Sequence, residues 1–284
     1  MKVNEIWLND HMYRYSVYKN HQIEFPLGVF LIGNLQEIES VEFFSEYFSK
    51  YLNLYVVEVP GTGLTNPLSA TYSIQEQAKL LKEFLIRMGI PYAHLLAFSY
   101  ATPVALELCL AWENIITLSM CGGMAGIPEP SRLDTMAILG DAIRNRKKFA
   151  DAFIDGLTVE DKSIPRGKAI SRSARQKVHK YTENQIRCFC ENTVRILSYS
   201  PSDLSKIDIP CLLFIGKEDP YVTEKNALDL VNKLPFCEFE MIENADHLVH
   251  LEFPEKTANL MVKLAKEYSG LSSKSAQIQT VIVA

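Results

Sequence analysis

The sequence predicts an α/β protein: a mostly parallel sheet with helices on both faces, interrupted once by a helical insertion. Three observations predict it. Short continuous apolar runs alternate with segments of helical periodicity, as strands buried on both faces and their crossover helices do. The alternation stops from about Ser131 to Ser200, where the pattern is almost entirely helical with polar breaks near Gly156 and Ile164-Pro165 and no buried strand, and then resumes. With 284 residues, 48% hydrophobic and 22% charged, the chain is large enough for one sizeable domain with an insertion, or for two small domains.

Taken in order, Tyr13 to Tyr18 alternates with period two and reads as an edge strand. The run Gly28 to Ile32, ended by Gly33-Asn34, reads as a buried strand, and Glu39 to Leu52 as a helix. A second buried strand, Leu54 to Val59, runs into the turn Pro60-Gly61-Thr62-Gly63. Ser73 with Glu76 forms a capping box that starts a helix running to Met88, with Gly89 as its stop. The strand His94 to Phe98, the helix Ala101 to Ala111 and the strand Ile115 to Met120 follow. After the insertion come the strand Cys211 to Ile215, a helix from Thr223 to Leu234, the strand Cys237 to Ile242 and a last helix from Pro254 to Tyr268. The expected division is therefore a core of 1–130 and 201–270, a helical lid of 131–200 and a C-terminal tail of 271–284 whose default state is disorder.

Composition narrows the function. A net charge of -5 argues against a general nucleic-acid binder. No apolar run is long enough to span a bilayer, and the first residues lack the apolar core of a secretory signal. Of the six cysteines, only Cys188 and Cys190 have metal-ligand spacing, and no second pair completes a site. Reduced structural thiols in a cytoplasmic protein, with no metal or organic cofactor, are the expectation.

The chemistry lies in Ala97-Phe98-Ser99-Tyr100-Ala101, where a buried strand meets a helix. A serine on so sharp a turn presents its hydroxyl at the carboxyl end of the sheet, and the turn tolerates only small residues two before and two after it. Here both are alanine. A serine hydroxyl needs a base, and His247 stands just behind the strand ending at Ile242. Asp219, behind the strand ending at Ile215, is the candidate to orient it. Glu218 and Asp246 compete for that role, but Glu218 should point elsewhere on the turn and Asp246 adjoins the histidine. His250, like His11, His21, His94 and His179, reads as structural. The oxyanion hole is expected from the backbone N–H groups of Tyr100 and of Asn34.

These residues together resemble the α/β-hydrolase fold over almost the whole chain. A narrower resemblance is to bacterial 3-hydroxyacyl-ACP acyltransferases, of the rhamnolipid-precursor synthase and 3-hydroxyacyl-ACP:CoA transacylase type. It is carried by Phe214 to Thr223, Leu234 to Phe239 and Ala245-Asp246-His247-Leu248. The elbow departs from it, reading Phe-Ser-Tyr-Ala, and Ile32 replaces a polar residue at the strand end. The resemblance implies transfer of a fatty, or 3-hydroxy fatty, acyl group from a thioester to Ser99 and then to a hydroxyl, a thiol or water. The rivals are a carboxylesterase on small esters and a non-catalytic ligand-binding member of the fold.

Within the insertion, Arg166, Lys168, Arg172, Arg175, Lys177 and Lys180 fall in one stretch with no acid between Asp161 and Glu183. Such a patch would draw acyl-ACP or the phosphates of acyl-CoA; read without a partner, it is a solvated helix face. Met124, Met136, Ile138, Leu139, Phe149, Phe153, Ile154 and Phe189 offer apolar surface for an acyl chain, or simple packing between lid and sheet.

Overall fold

The computed structural model describes residues 2–19 and 26–269; the expected tail 271–284 and His21 lie outside them. Eight strands form one sheet in the order β1-β2-β4-β3-β5-β6-β7-β8. They are β1 (Val3–Leu8), β2 (His11–Tyr18), β3 (Leu27–Leu31), β4 (Asn53–Glu58), β5 (Ala93–Phe98), β6 (Ile115–Cys121), β7 (Cys211–Gly216) and β8 (Cys237–Ile242). β2 runs antiparallel to both its neighbours, and β3 through β8 pair parallel. Tyr13 to Tyr18 is therefore not the edge. β1 lies outside it, joined by a two-residue turn at Asn9 and Asp10, both at positive φ (48° and 65°), the geometry of a tight hairpin.

Side chains alternate across the sheet with the strand period. On one face Val29, Leu31, Leu95 and Ala97 join a core with α2 (Ile74–Arg87), α3 (Ala101–Ala111) and α8 (Glu224–Val231). On the other, Phe30, Leu54, Val56 and Leu96 pack with α1 (Glu42–Phe48) and the C-terminal helices. The capping box expected at Ser73 and Glu76 is formed in both directions. Two helices differ from expectation. The segment from Glu39 opens as a 3-10 turn, Ile38–Val41, before α1. The helix expected from Pro254 to Tyr268 is two pieces, α10 (Pro254–Met261) and α11 (Lys263–Glu267), and a short helix α9 (Val249–Glu252) precedes it. Pro254 cannot donate to the preceding turn, so a new helix starts there.

Between β6 and β7 lie α4 (Arg132–Arg144), α5 (Arg146–Asp155), α6 (Gly167–His179) and α7 (Glu183–Ser198). This cap has its own small core of Phe149, Ile154, Val178, Ile186 and Phe189, which Leu35 enters from the sheet side. It is tied to the loops at the carboxyl edge of the sheet. The Tyr181 hydroxyl donates to Leu35 O at 2.7 Å, and the His247 N–H donates to Leu157 O at 3.2 Å.

Candidate active site

Ser99 sits between β5 and α3 with φ 46°, a left-handed conformation that a non-glycine residue adopts only under constraint. The constraint is local: its N–H donates to Cys121 O at 2.8 Å and its carbonyl accepts the Thr102 N–H at 2.9 Å. Ala97 and Ala101 are both buried.

The loops after β7 and β8 bring two partners to that hydroxyl. Ser99 Oγ lies 3.1 Å from His247 Nε2, and His247 Nδ1 lies 2.7 Å from Asp219 Oδ2. Asp219 is buried, and its Oδ1 accepts N–H groups from Tyr221 and Val222, each at 2.8 Å. Burial pulls the His247 pKa down, but the Asp219 charge and hydrogen bond, with Asp246 behind them, carry it above its ordinary value. The Tyr221 ring meets the imidazole edge-on at a centroid distance of 5.4 Å.

Neither competing carboxylate reaches the ring nitrogen. Glu218 is exposed. Asp246 turns away, accepting the N–H of Leu248 at 2.8 Å and, from the cap, that of Val159 at 3.2 Å. Behind it Glu252 accepts the Asp246 N–H at 3.0 Å. Burial, and then the Asp246 charge, raise Glu252 to about 8.

The loop after β3 is braced by side chains that sequence reading passes over. The Gly33 N–H donates to Gln36 Oε1 at 2.7 Å, so it is already engaged. Gln36 Nε2 in turn lies 3.2 Å from His250 Nε2. His250 is thus a structural residue capped by Gln36. Burial, with His247 beside it, pulls its pKa down to about 3, and the neutral ring accepts from Gln36. Asn34 and Tyr100 both border the same cavity as Ser99. Two further polar residues, Asn192 and Arg195 on α7, reach Asn34 and Tyr100 from the cap. Their only sequence signal is two polar positions three apart on a helix face that otherwise holds Phe189 and Ile196.

The cavity measures about 530 Å³. Ser99 and His247 line it, and most of the rest is apolar, including Met124, Ile138, Phe153, Ile154 and Phe189. Phe149 belongs instead to the cap's own core, and Met136 points outward, 57% exposed. The basic stretch is less free than its sequence implies, because acids distant in the chain meet it. Arg175 pairs with Asp155 at 2.6 Å, and Lys177 pairs with Glu37 at 3.0 Å. Arg166 donates to Leu251 O at 3.1 Å. Arg166 and Lys177 lie on the cavity wall, while Lys168, Arg172 and Lys180 are exposed. No group of three or more metal-ligating side chains occurs among the described residues, and no helix there is long and apolar enough to cross a membrane.

The family model described as the Alpha/beta hydrolase family matches residues 37–260. The 2-hydroxy-6-oxononadienedioate/2-hydroxy-6-oxononatrienedioate hydrolase of Paraburkholderia phymatum is 25% identical over 217 residues, covering 73% of this chain and 74% of that protein. The (E)-2-((N-methylformamido)methylene)succinate hydrolase of Acinetobacter baylyi is 20% identical over 234 residues, covering 76% of this chain and 81% of its own. Among solved structures, MGS-M2, an alpha/beta hydrolase enzyme from a Medee basin deep-sea metagenome library, matches with a TM-score of 0.81 at 18% identity, over 95% of this chain and 99% of that one. The narrower likeness to acyltransferases is not shown by these matches.

Proposed function

The chain belongs to the alpha/beta hydrolase family, and we propose that within it the chain is a serine hydrolase of carboxylic esters or thioesters with an apolar acyl group. The observation that supports this is the hydrogen-bonded line Ser99–His247–Asp219 opening onto an apolar cavity of about 530 Å³. Ser99 Oγ attacks the carbonyl carbon as His247 Nε2 takes its proton. The tetrahedral oxyanion is held by the N–H groups of Asn34 and Tyr100. Collapse expels the alcohol or thiol, which takes the proton from His247, and leaves acyl-Ser99. Water then adds to the acyl carbon by the same route and releases the acid. A hydroxyl or thiol acceptor in place of water would make the enzyme an acyltransferase, such as the 3-hydroxyacyl-ACP type. The named relatives are hydrolases, and so water is the acceptor we propose.

The test is covalent. A fluorophosphonate should label Ser99 on peptide mapping, and Ser99→Ala should lower turnover of p-nitrophenyl esters by roughly 10⁴-fold or more. Label elsewhere, or full activity in the variant, removes the mechanism. A second reading follows from the Paraburkholderia relative, whose named substrate is an oxo-dicarboxylate. Its ketone carbonyl would take the place of the ester carbonyl, and a carboxylate end would meet Arg166 and Lys177 on the cavity wall. Comparing kcat/KM for such a compound and for neutral esters decides between the two.

A further inference from the structure

We infer that Asn192 and Arg195 of cap helix α7 are positioning residues for the oxyanion hole; this rests on the reading of Asn34 and Tyr100 as its backbone donors. Arg195 is 1% exposed. All five of its N–H donors are used. Nε donates to Tyr72 O at 2.7 Å, and Nη2 to Leu68 O and Ser69 O at 2.7 and 3.0 Å. Nη1 donates to the Tyr100 hydroxyl at 3.2 Å and to Asn192 Oδ1. None of these acceptors is a carboxylate. Desolvating a guanidinium that keeps its charge is unfavourable, and an apolar side chain would serve helix packing without that cost. What the arginine supplies instead is a rigid fork that fixes several groups at once.

Asn192, fully buried, completes the grip. Its amide donates to Gly61 O at 2.8 Å and to Asn34 Oδ1 at 3.2 Å, while its own oxygen accepts from Arg195. A single pair of residues, three apart on one helix, therefore holds Asn34 by its amide and Tyr100 by its hydroxyl. Those two residues sit on separate loops, after β3 and after β5. The Tyr100 hydroxyl is fixed from the far side as well, donating to Gln77 Oε1 at 2.9 Å. The sheet pairs β3 with β5 as far as Leu31 and Ala97, three residues short of Asn34 and Tyr100. Beyond that point α7 links the two residues, so the geometry of the hole depends on α7. Donors must lie within a narrow range of the developing oxyanion, and loss of one is worth about 10²–10³ in kcat.

The experiment compares wild type, Asn192→Ala, Asn34→Ala and the double variant on a p-nitrophenyl ester. Rates are expressed per active site titrated with a fluorophosphonate, so that any unfolded fraction drops out. Asn192→Ala should lower kcat by about 10- to 100-fold, with KM within about 3-fold of wild type. The double variant should be no worse than Asn192→Ala alone, because that change already removes the hydrogen bond through which the Asn34 amide is held. The pH midpoint set by His247 should stay where it is. Arg195→Lys, which keeps the charge and loses the fork, should show the same split between kcat and KM. Additive losses in the double variant, or a change in KM with kcat intact, overturn the inference. A wild-type protein that takes no label at Ser99 would instead overturn the reading of the site itself.

Discussion

Asp219 decides how the base behaves. With Oδ1 taken by two backbone N–H groups, only Oδ2 remains for His247, which fixes the imidazole with its Nε2 toward Ser99. His247 must be neutral to accept a proton, and its pKa lies above the ordinary value, so kcat/KM should rise with pH through a midpoint above that of a free histidine. Asp219→Asn removes the charge that raises it. The midpoint should then fall to lower pH and the plateau drop by about 10⁴-fold, read from initial rates between pH 5 and 9. Asp246→Asn and Glu218→Gln should be far milder, and an Asp246→Asn worse than Asp219→Asn would reassign the acid. Glu252 gives a stability prediction at the same scale. Its folded pKa of about 8 exceeds that of an unfolded glutamate, so the native state binds the extra proton and stability falls as pH rises between the two values. Glu252→Gln can still accept the Asp246 N–H, and it should flatten that fall in urea midpoints taken at pH 5.5 and 8. Ser99, Asp219 and His247 were legible in the sequence because each follows a buried apolar run in the order this chemistry needs. Gln36, His250, Asn192 and Arg195 were not, since their partners are loop atoms remote in the chain, such as Tyr72 O, 123 residues from Arg195, which no periodicity encodes.

The loops that carry these residues are held by the ends of their strands. At the end of β7, Gly216 lets the loop bearing the histidine cross close to it: a Cβ there would lie 2.3 Å from Asp246 O and 2.4 Å from Ala245 O. These are backbone atoms that cannot swing aside, so Gly216→Ala must move residues 245–247 or the strand end. It should destabilise the protein by about 1–3 kcal/mol and lower kcat more than it raises KM, because the displaced group is the base. Chemical denaturation and steady-state kinetics check the two halves separately, and a variant as stable and active as wild type would show that the loop has slack. Element order was legible wherever a strand is buried on both faces, as in β3, β5, β6 and β7, whose short, largely apolar runs alternate with helical segments. It was not legible at the edge. β1 is half exposed, and its Asn4 and Glu5 dilute the apolar signal. The C-terminal helix departs for a related reason: amphipathic periodicity persists across Val262, where the structure ends α10 and starts α11.

Across the whole molecule the charge is divided. Residues 131–200 carry 14 Lys and Arg against 8 Asp and Glu, while the remaining residues carry 15 against 26, so a basic cap sits on an acidic core. The ion pairs follow that division in part, as with Lys177 of the cap on Glu37 of the core, while Arg146 pairs with Glu183 inside the cap itself. Cations already spent on such pairs add little to the attraction of a substrate, and the surplus that remains toward solvent includes Lys168 and Arg172 on α6, both exposed. A polyanionic acyl donor such as acyl-CoA, or an acidic carrier protein, would approach a field of opposite sign at this face, whereas a neutral ester would not sense it. Reversing both residues in Lys168→Glu/Arg172→Glu should lower kcat/KM for acyl-CoA by about 5- to 20-fold at low salt and remove most of its salt dependence, because exposed charges are screened within about 10 Å at 0.1 M. Activity on a neutral p-nitrophenyl ester should stay within about 2-fold, as neither residue lines the cavity that holds Ser99. Kinetics on both substrates at two ionic strengths separate the outcomes. Equal losses on both would mean that the reversal disturbs the cap, and unchanged acyl-CoA kinetics would return these side chains to an ordinary solvated helix face.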